Sequence, residues 1–379
     1  MKILHLSNDY SGSTVYKNLI GSIDQQDIEQ VVYNPIREEA RVGKNAIKFK
    51  LENSELIYRV LLNYSTDRIF FKSKVNKILK DVEKVVDLTK INCIHAHTWY
   101  SDGSVAYELF LKYKIPYIIT IRNTDLNLFY SYLYHLRGYG TSILLHAKRI
   151  VFIADIYKKR FLKTEVFLKN KDVLEGKVCV LPNGIDDYWL ENLQKRKTNC
   201  DVTNIKVLYI GKFDKGKNVL KLIKAIKLLN REHKVYRLTL IGGGGNEEKK
   251  VREEFKGIDY ISFLGPIYDK EELRKEFLSH DIFAMPSKAE TFGLVYLEAI
   301  SQGLPIINTI NEGIYGMYEN IGESVDYKSI TSISNGLEKI RSNYGYYSFN
   351  PQDILSNHKW FDIAKKYIEL YNKIEENEI

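Results

Sequence analysis

Short apolar runs alternate with amphipathic stretches along most of the chain. Residues 2–6 (KILHL), 91–97 (INCIHAH) and 115–123 (IPYIITIRN) read as strands, and residues 101–114 (SDGSVAYELFLKYK) as a helix. Residues 143–161 (ILLHAKRIVFIADIYKKRF) run from helix to strand to helix, and residues 177–186 (KVCVLPNGID) form a strand ending in a Pro/Asn/Gly turn. Unbroken apolar strands alternating with helices predict an α/β fold with parallel sheets of the doubly wound type.

The pattern pauses at residues 191–204 (ENLQKRKTNCDVTN), which are polar and lack apolar periodicity. It then restarts. Residues 205–211 (IKVLYIG) read as a strand and 216–233 (GKNVLKLIKAIKLLNREH) as a helix with apolar positions three and four apart. Residues 236–245 (YRLTLIGGGG) run from a strand into a glycine loop. The runs ISFLG, DIFAMPS and PIINT follow as strands with helices between them. The second half therefore reads as a second doubly wound domain. The expected domains are residues 1–195 and 196–357. The last stretch, about 358–379, holds an amphipathic helix (WFDIAKKYIELYNKI) that could pack on either domain, including back on the first.

Length and composition agree with this picture. A chain of 379 residues, 44% apolar, has room for two ordinary cores. Seven prolines and no low-complexity run argue against disorder, and no repeat has a solenoid period. The first residues lack the apolar length and cleavage site of a signal peptide. No stretch approaches the about 18 apolar residues of a membrane span. Cys93, Cys179 and Cys200 are far apart and form no Cys-x-x-Cys, which argues against a disulfide framework or zinc site and fits a reducing cytosol. The expected location is the cytoplasm.

The net charge of +8 adds one question. Lysine and arginine concentrate in residues 37–90, interleaved with Ile, Leu, Phe and Tyr, as in DRIFFKSKVNKILKDVEKVV. The ordinary reading is a solvated amphipathic helix with a basic face. The sharper one is attraction to anionic lipid head groups, peripheral on the inner face of the plasma membrane. Nucleic acid is not expected as a partner, because no recognition motif accompanies the charge.

Ligands of open parallel sheets bind beyond the carboxyl ends of the strands. His95, His97, Arg122, Asn123, Asn183, Gly211, Lys212, Gly242 to Gly245, Ser287 and Glu290 all fall there. In AETFGLVYLEAISQG, Glu290 precedes an apparent helix start at Gly293 and Glu298 lies two turns inside. Eight helical residues rise roughly 12 Å. The N-terminus of that helix offers free N–H groups and a positive dipole end. Such an arrangement could hold the two ends of a diphosphate sugar. The ordinary alternative is a loop acid and a satisfied helix acid. Lys212, Lys215 and Lys217 stand at another helix start, against the dipole preference, which an anion would explain; a plain basic loop is the alternative. The Walker pattern is absent, and the four glycines do not form a dinucleotide fingerprint. His95 and His97 share a strand face and could bind metal, but no third ligand and no Asp-x-Asp motif is evident. One histidine is expected to be structural and the other near the ligand cleft.

Taken in order, LPNGID (181–186), GKFDKGKN (211–218), LIGGGG (240–245), FLGPI (263–267) and PSKAETFGLVYLEAISQGLP (286–305) resemble the family 4 retaining glycosyltransferases of the GT-B fold. The resemblance is strongest from Val178 to Pro305 and weaker in the first 90 residues. It implies two Rossmann-like domains facing each other across a cleft. It implies a nucleotide-sugar donor, most often UDP-linked, a glycan or lipid-linked acceptor, and neither cofactor nor metal. Glu290 would bind donor-sugar hydroxyls, and Phe292, Gly293 and Leu294 would meet sugar and diphosphate through backbone N–H groups. Glu298 would take the ribose hydroxyls, Ile267 would flank the base, and Gly211 and Gly243 would bring bare backbone to the donor. Lys217 matches the phosphate lysine, and Lys212 stands where arginine is usual, without the bidentate fork.

Two departures stand out. Arg122 occupies the place of a frequent histidine, which makes Asn123 and Asp125 candidate acceptor contacts beside Ser13 and His97. Gly12 is alone where paired glycines are common. Readings that compete with transfer are a sugar-nucleotide epimerase or hydrolase and a non-catalytic nucleotide-sugar-binding scaffold.

Overall fold

A computed structural model describes residues 1–64 and 66–375. They form two compact units. The first comprises Met1–Gly184 and the helix Trp360–Glu375; the second is Ile185–Lys359.

The sheet of the first unit contains β1 (Lys2–Leu6), β2 (Glu29–Ile36), β3 (Glu55–Val60), β4 (Cys93–Ala96), β5 (Tyr117–Ile121), β6 (Arg149–Phe152) and β7 (Val178–Val180). All pairings are parallel, in the order β3-β2-β1-β4-β5-β6-β7. β1, β4 and β5 are almost wholly buried, as the unbroken apolar runs require of a sheet covered on both faces. The register sets His5 opposite His95. The helix Trp360–Glu375 closes this core. Trp360, Ile363, Tyr367, Tyr371 and Ile374 pack with Leu19 and Ile23 and with the strand residues Ile3, Ile118 and Val151. Each such fully buried large side chain is worth about 1.5–3 kcal/mol. Gly184 lies under Trp360, where a Cβ would come within 2.5 Å of the indole, so this glycine of the LPNGID turn serves packing.

The second sheet contains β8 (Ile205–Gly211), β9 (Tyr236–Gly242), β10 (Ile261–Gly265), β11 (Ile282–Ala284), β12 (Ile306–Thr309) and β13 (Gly322–Val325). It too is parallel, in the order β10-β9-β8-β11-β12-β13. Strand order reverses between β1 and β4 in one sheet and between β8 and β11 in the other. Those are the switch points where doubly wound sheets hold ligands.

The units divide at Gly184, not after residue 195 as the polar run suggested. At the border the Ile185 N–H donates to the His358 carbonyl at 2.8 Å, and Ile185 bridges Lys359. The polar run belongs to the second unit. Its Gln194 N–H donates to Ser301 O at 2.8 Å, and Arg196 donates to the carbonyls of Tyr344 and Tyr347. Its polarity reflects surface hydrogen bonding rather than a free linker.

The basic region forms the helix Phe71–Val85, with Phe71, Val75, Ile78 and Val82 inward at helical spacing. Among the described residues no helix is long and apolar enough to cross a membrane.

Candidate active site

The second unit gathers its candidates at the switch point. The chain leaves β11, loops to Gly293 and enters the helix Leu294–Ser301. Gly293 has φ 83°, and a Cβ there would sit 2.4 Å from the Tyr296 ring and 3.0 Å from Glu290 Cγ. Only glycine fits both the conformation and the space. The turn brings Phe292 and Leu294 to a helix start, whose first N–H groups have no intrahelical acceptors. The Phe292 side chain itself is buried.

The loop after β8 is fastened to the same place. Asn218 donates from Nδ2 to the carbonyls of Pro286 and Tyr327, each at 2.9 Å, and the Lys288 N–H donates to Gly216 O at 2.8 Å. Lys217 is thereby aimed at Glu290, and their side chains pair at 2.5 Å. Both are largely screened from solvent, at 29% and 12% exposure, so this is not a loose surface pair. Lys212 is exposed nearby, with its carbonyl accepting the Tyr209 hydroxyl at 2.9 Å.

Gly211 and Gly242 meet back to back: a Cβ on Gly242, at φ 119°, would lie 2.1 Å from Gly211 O. The Gly243 N–H donates to that same oxygen at 3.3 Å, so the first half of the glycine run holds β8 and β9 together. Ile267 lies in the loop after β10, partly buried. Glu298 lies in the second turn of its helix. Burial first, and then the charge of Asp186, raise its carboxyl to about 7, while Lys270 opposes the shift.

Sequence reasoning missed Glu312. Its Oε2 accepts the Glu290 backbone N–H at 3.1 Å and so helps fix the loop that carries the paired carboxylate. The available signal was its position just after β12, under the strand-end rule used for the others.

The first unit arranges its candidates differently. Asp125 is buried and turned inward, where its carboxylate accepts the backbone N–H groups of Arg122, Trp99 and Tyr100 at 2.9–3.1 Å. Burial still raises this carboxyl to about 6. Its side chain is a brace between the loops after β4 and β5, not an open acceptor contact.

His97 is fully buried as well, and so is His95. Neither histidine lies open to a ligand, contrary to the expectation for one of them. Register explains this, because β1 supplies His5 as a third imidazole that pairs with His97 at 3.1 Å. The nitrogens of the three rings fall within 4.8 Å of one another, so the third member absent from the local motif comes from a distant strand. The His95 and His97 rings stack at 4.0 Å rather than converging on one point. His95 is already bonded to the Tyr371 and Thr120 hydroxyls, each at 2.8 Å. Burial, then the neighbouring rings and Arg122, hold His95 and His97 neutral.

Arg122 is partly exposed. Its guanidinium lies 4.8 Å over the Tyr16 ring, and its Nε donates to His97 O at 3.4 Å. Asn123 beside it is mostly buried. Ser13 caps the helix Thr14–Asp24 by accepting the Val15 N–H. Gly12 is exposed in the preceding turn, where a Cβ would strike Asp9.

Two family models divide the chain along the same lines. Glycosyltransferase Family 4 matches residues 13–188, and Glycosyl transferases group 1 matches residues 191–348. The chain is a group 1 glycosyltransferase of the family 4 type. An uncharacterized glycosyltransferase of Methanocaldococcus jannaschii is 25% identical and covers 87% of each chain. The O-antigen biosynthesis glycosyltransferase WclY of Escherichia coli is 26% identical over 87% of this chain and 93% of its own. Among solved structures, one described as trehalose-6-phosphate from E. coli bound with UDP-2-fluoro glucose superposes with a TM-score of 0.72. It covers 98% of this chain and 99% of its own at 11% identity, which is a likeness of fold. The glycosyltransferase therefore has two parallel-sheet Rossmann-like domains, as the apolar pattern predicted.

Proposed function

We propose that this glycosyltransferase moves a sugar from a nucleotide-sugar donor, UDP-linked first among the candidates, to a hydroxyl of a glycan or lipid-linked acceptor in cell-surface polysaccharide assembly. The observation that carries the proposal is the Lys217–Glu290 pair at the switch point of the second sheet, beside the helix start at Gly293. The pair keeps each charge compensated in the free protein. On donor binding Lys217 turns to the diphosphate, and Glu290 accepts hydrogen bonds from the sugar hydroxyls. Lys212, Lys217 and the N–H groups of Phe292, Gly293 and Leu294 then stabilise the charge that develops on the leaving diphosphate. That electrostatic task requires no metal and no cofactor. Glu298 accepts the ribose hydroxyls, Ile267 flanks the base, and Gly211, Gly243 and Gly12 let backbone approach the donor.

In the first unit, Arg122 and Asn123 make the direct contacts with acceptor or sugar. Ser13, His97 and Asp125 act there by holding loops. Attack from the leaving-group face gives retention, with positioning supplying much of the rate. The O-antigen role named for the E. coli relative supports the acceptor class, and the donor analogue named for the structural neighbour supports UDP. Peripheral contact with anionic membrane belongs to the same proposal, through the basic helix Phe71–Val85 and the exposed Ile69 and Phe70.

The test is turnover of UDP-, GDP-, ADP- and dTDP-sugars with glycan and lipid acceptors, with and without EDTA. Product configuration is read by NMR. Transfer from one nucleotide series, with retention and unchanged by EDTA, is expected. An epimerised nucleotide sugar, or free sugar as sole product with acceptor present, would replace transfer by the epimerase or hydrolase reading. Donor binding without turnover would favour a scaffold.

A further inference from the structure

The first unit holds a second cluster of positive charge that the donor chemistry leaves unused. Lys74 lies on the helix Phe71–Val85, yet it is only 6% exposed. Its ammonium donates to Ser101 Oγ at 2.9 Å and stands 4.8 Å from the Phe71 ring centroid. Among the described residues no carboxylate forms an ion pair with it, whereas Lys77, one turn on, pairs with Asp67 at 3.1 Å. Arg37 follows directly on β2, close enough for its charge to act on Lys74. Its guanidinium stands 5.5 Å from the Tyr64 ring centroid, and its Nε is buried with no partner among the described residues.

A buried ammonium with a single neutral partner, beside a half-buried guanidinium whose Nε–H is orphaned, is costly in an empty site. Burial lowers the Lys74 ammonium to about 8; Asp102 opposes the shift, and Arg37 adds to it. The nearby acids are committed elsewhere. Asp102 accepts the Asn8 N–H and the Thr98 hydroxyl, Asp67 holds the Asn63 N–H and Lys77, and Asp125 braces three backbone N–H groups.

Location adds to the case. Arg37 leaves β2 and Ser101 opens the helix after β4, so the cluster flanks the first sheet's switch point at its carboxyl edge. Exposed apolar side chains adjoin it on two sides: Ile69 and Phe70 before the Lys74 helix, and Leu128 and Tyr132 beyond Phe129, whose ring lies 6.0 Å from that of Phe71.

We propose that Lys74 and Arg37 form a subsite for a phosphoryl group of the acceptor. The inference rests on the glycosyl-transfer reading and deepens it, because it makes the acceptor a phosphorylated molecule. The phosphoryl group receives the free N–H donors of both side chains, and the exposed apolar side chains accommodate what it is attached to. Its source is either a lipid head group or a soluble phosphorylated glycan.

The experiment measures binding of full-length protein to two probes: phosphatidylcholine vesicles with and without phosphatidic acid, by sedimentation, and inorganic phosphate, by calorimetry. The variants are Lys74→Met and Arg37→Gln. Lys366→Gln, on the exposed face of the helix Trp360–Glu375, and Lys275→Gln, exposed in the second unit, serve as controls. Loss of at least about tenfold in affinity for either probe in both test variants, with both controls near wild type, is expected from removal of a charge-assisted contact. Loss with the vesicles assigns the phosphoryl group to a lipid, and loss with free phosphate alone assigns it to a soluble molecule. Wild-type binding by both test variants, an equal loss in Lys366→Gln or Lys275→Gln, or no binding of either probe by the wild type would overturn the subsite. Nucleotide-sugar binding is measured on the same samples and is expected to be unchanged in Lys74→Met and Arg37→Gln. Its absence from the wild type would count against the donor reading alone.

Discussion

The two sheets present polar side chains at the same carboxyl-terminal edge and use them in opposite ways. In the second unit, glycines with positive φ and short hydrogen-bonded loops hold Lys217 against Glu290, near a helix start. In the first, Asp125 and the histidines point inward, where they bond to backbone, to buried hydroxyls and to each other. One edge pairs opposite charges beside a helix start, and the other holds loops around Arg122. Residue type after a strand is therefore a weak guide to exposure. What separates the two edges is where the hydrogen bonds go.

Changes on the proposed donor edge carry the largest expected effect. Glu290→Gln keeps shape and removes charge, so transfer is expected to fall about 100- to 1000-fold while the protein stays folded; a rate within tenfold of wild type would break the contrast. Gly293→Ala strains the turn and pushes on Tyr296. Urea denaturation should show a loss of about 2–4 kcal/mol, with weaker donor binding. Asp125→Asn faces an amide N–H₂ toward backbone N–H donors. About 1–3 kcal/mol of stability should be lost, with donor affinity intact; weakened donor affinity with unchanged stability would show that Asp125 is a contact rather than a brace.

The smallest effect is that of pH on Glu298. Burial makes its carboxyl neutral below about 7 in the free protein. The ionised form is the better acceptor for ribose hydroxyls, so nucleotide affinity should strengthen as pH rises through 7. Between pH 6 and 8 the ionised fraction changes about tenfold, which bounds the effect. Glu298→Gln should flatten the profile. The same raised value acts in the opposite sense on stability. The folded state keeps a proton that the unfolded chain has lost, so this group's contribution falls as pH climbs from about 4.5 to 7.

Much of the fold was legible because buried parallel strands leave largely apolar runs, as in β1, β4, β5, β8 and β11, while β9 alternates buried and exposed positions. β3 and β13 escaped because they are edge strands, half-exposed, with sequences ELIYRV and GESV that show no buried run. β2 was hidden by Asn34 and Pro35 within EQVVYNPI, although the strand is buried. The placement of Lys217, Glu290 and Glu298 was legible because these residues fall just after strands or on the helix that follows. The partners of His5 and Glu312 were not legible. Each reaches its partner through sheet register or a returning loop, 92 and 22 residues distant, and one sequence read alone does not encode that proximity visibly.

The central claim is that the second unit's sheet edge holds a nucleotide sugar with its ribose at Glu298 and its sugar at Glu290. The most direct measurement is calorimetric titration of wild type and Glu298→Gln with UDP-, GDP-, ADP- and dTDP-sugars. Tight binding of one nucleotide series by the wild type and at least about tenfold weaker binding by the variant are expected, as loss of a charged hydrogen-bond acceptor implies. Equal affinities in the two proteins, or no binding of any series by the wild type, would contradict it.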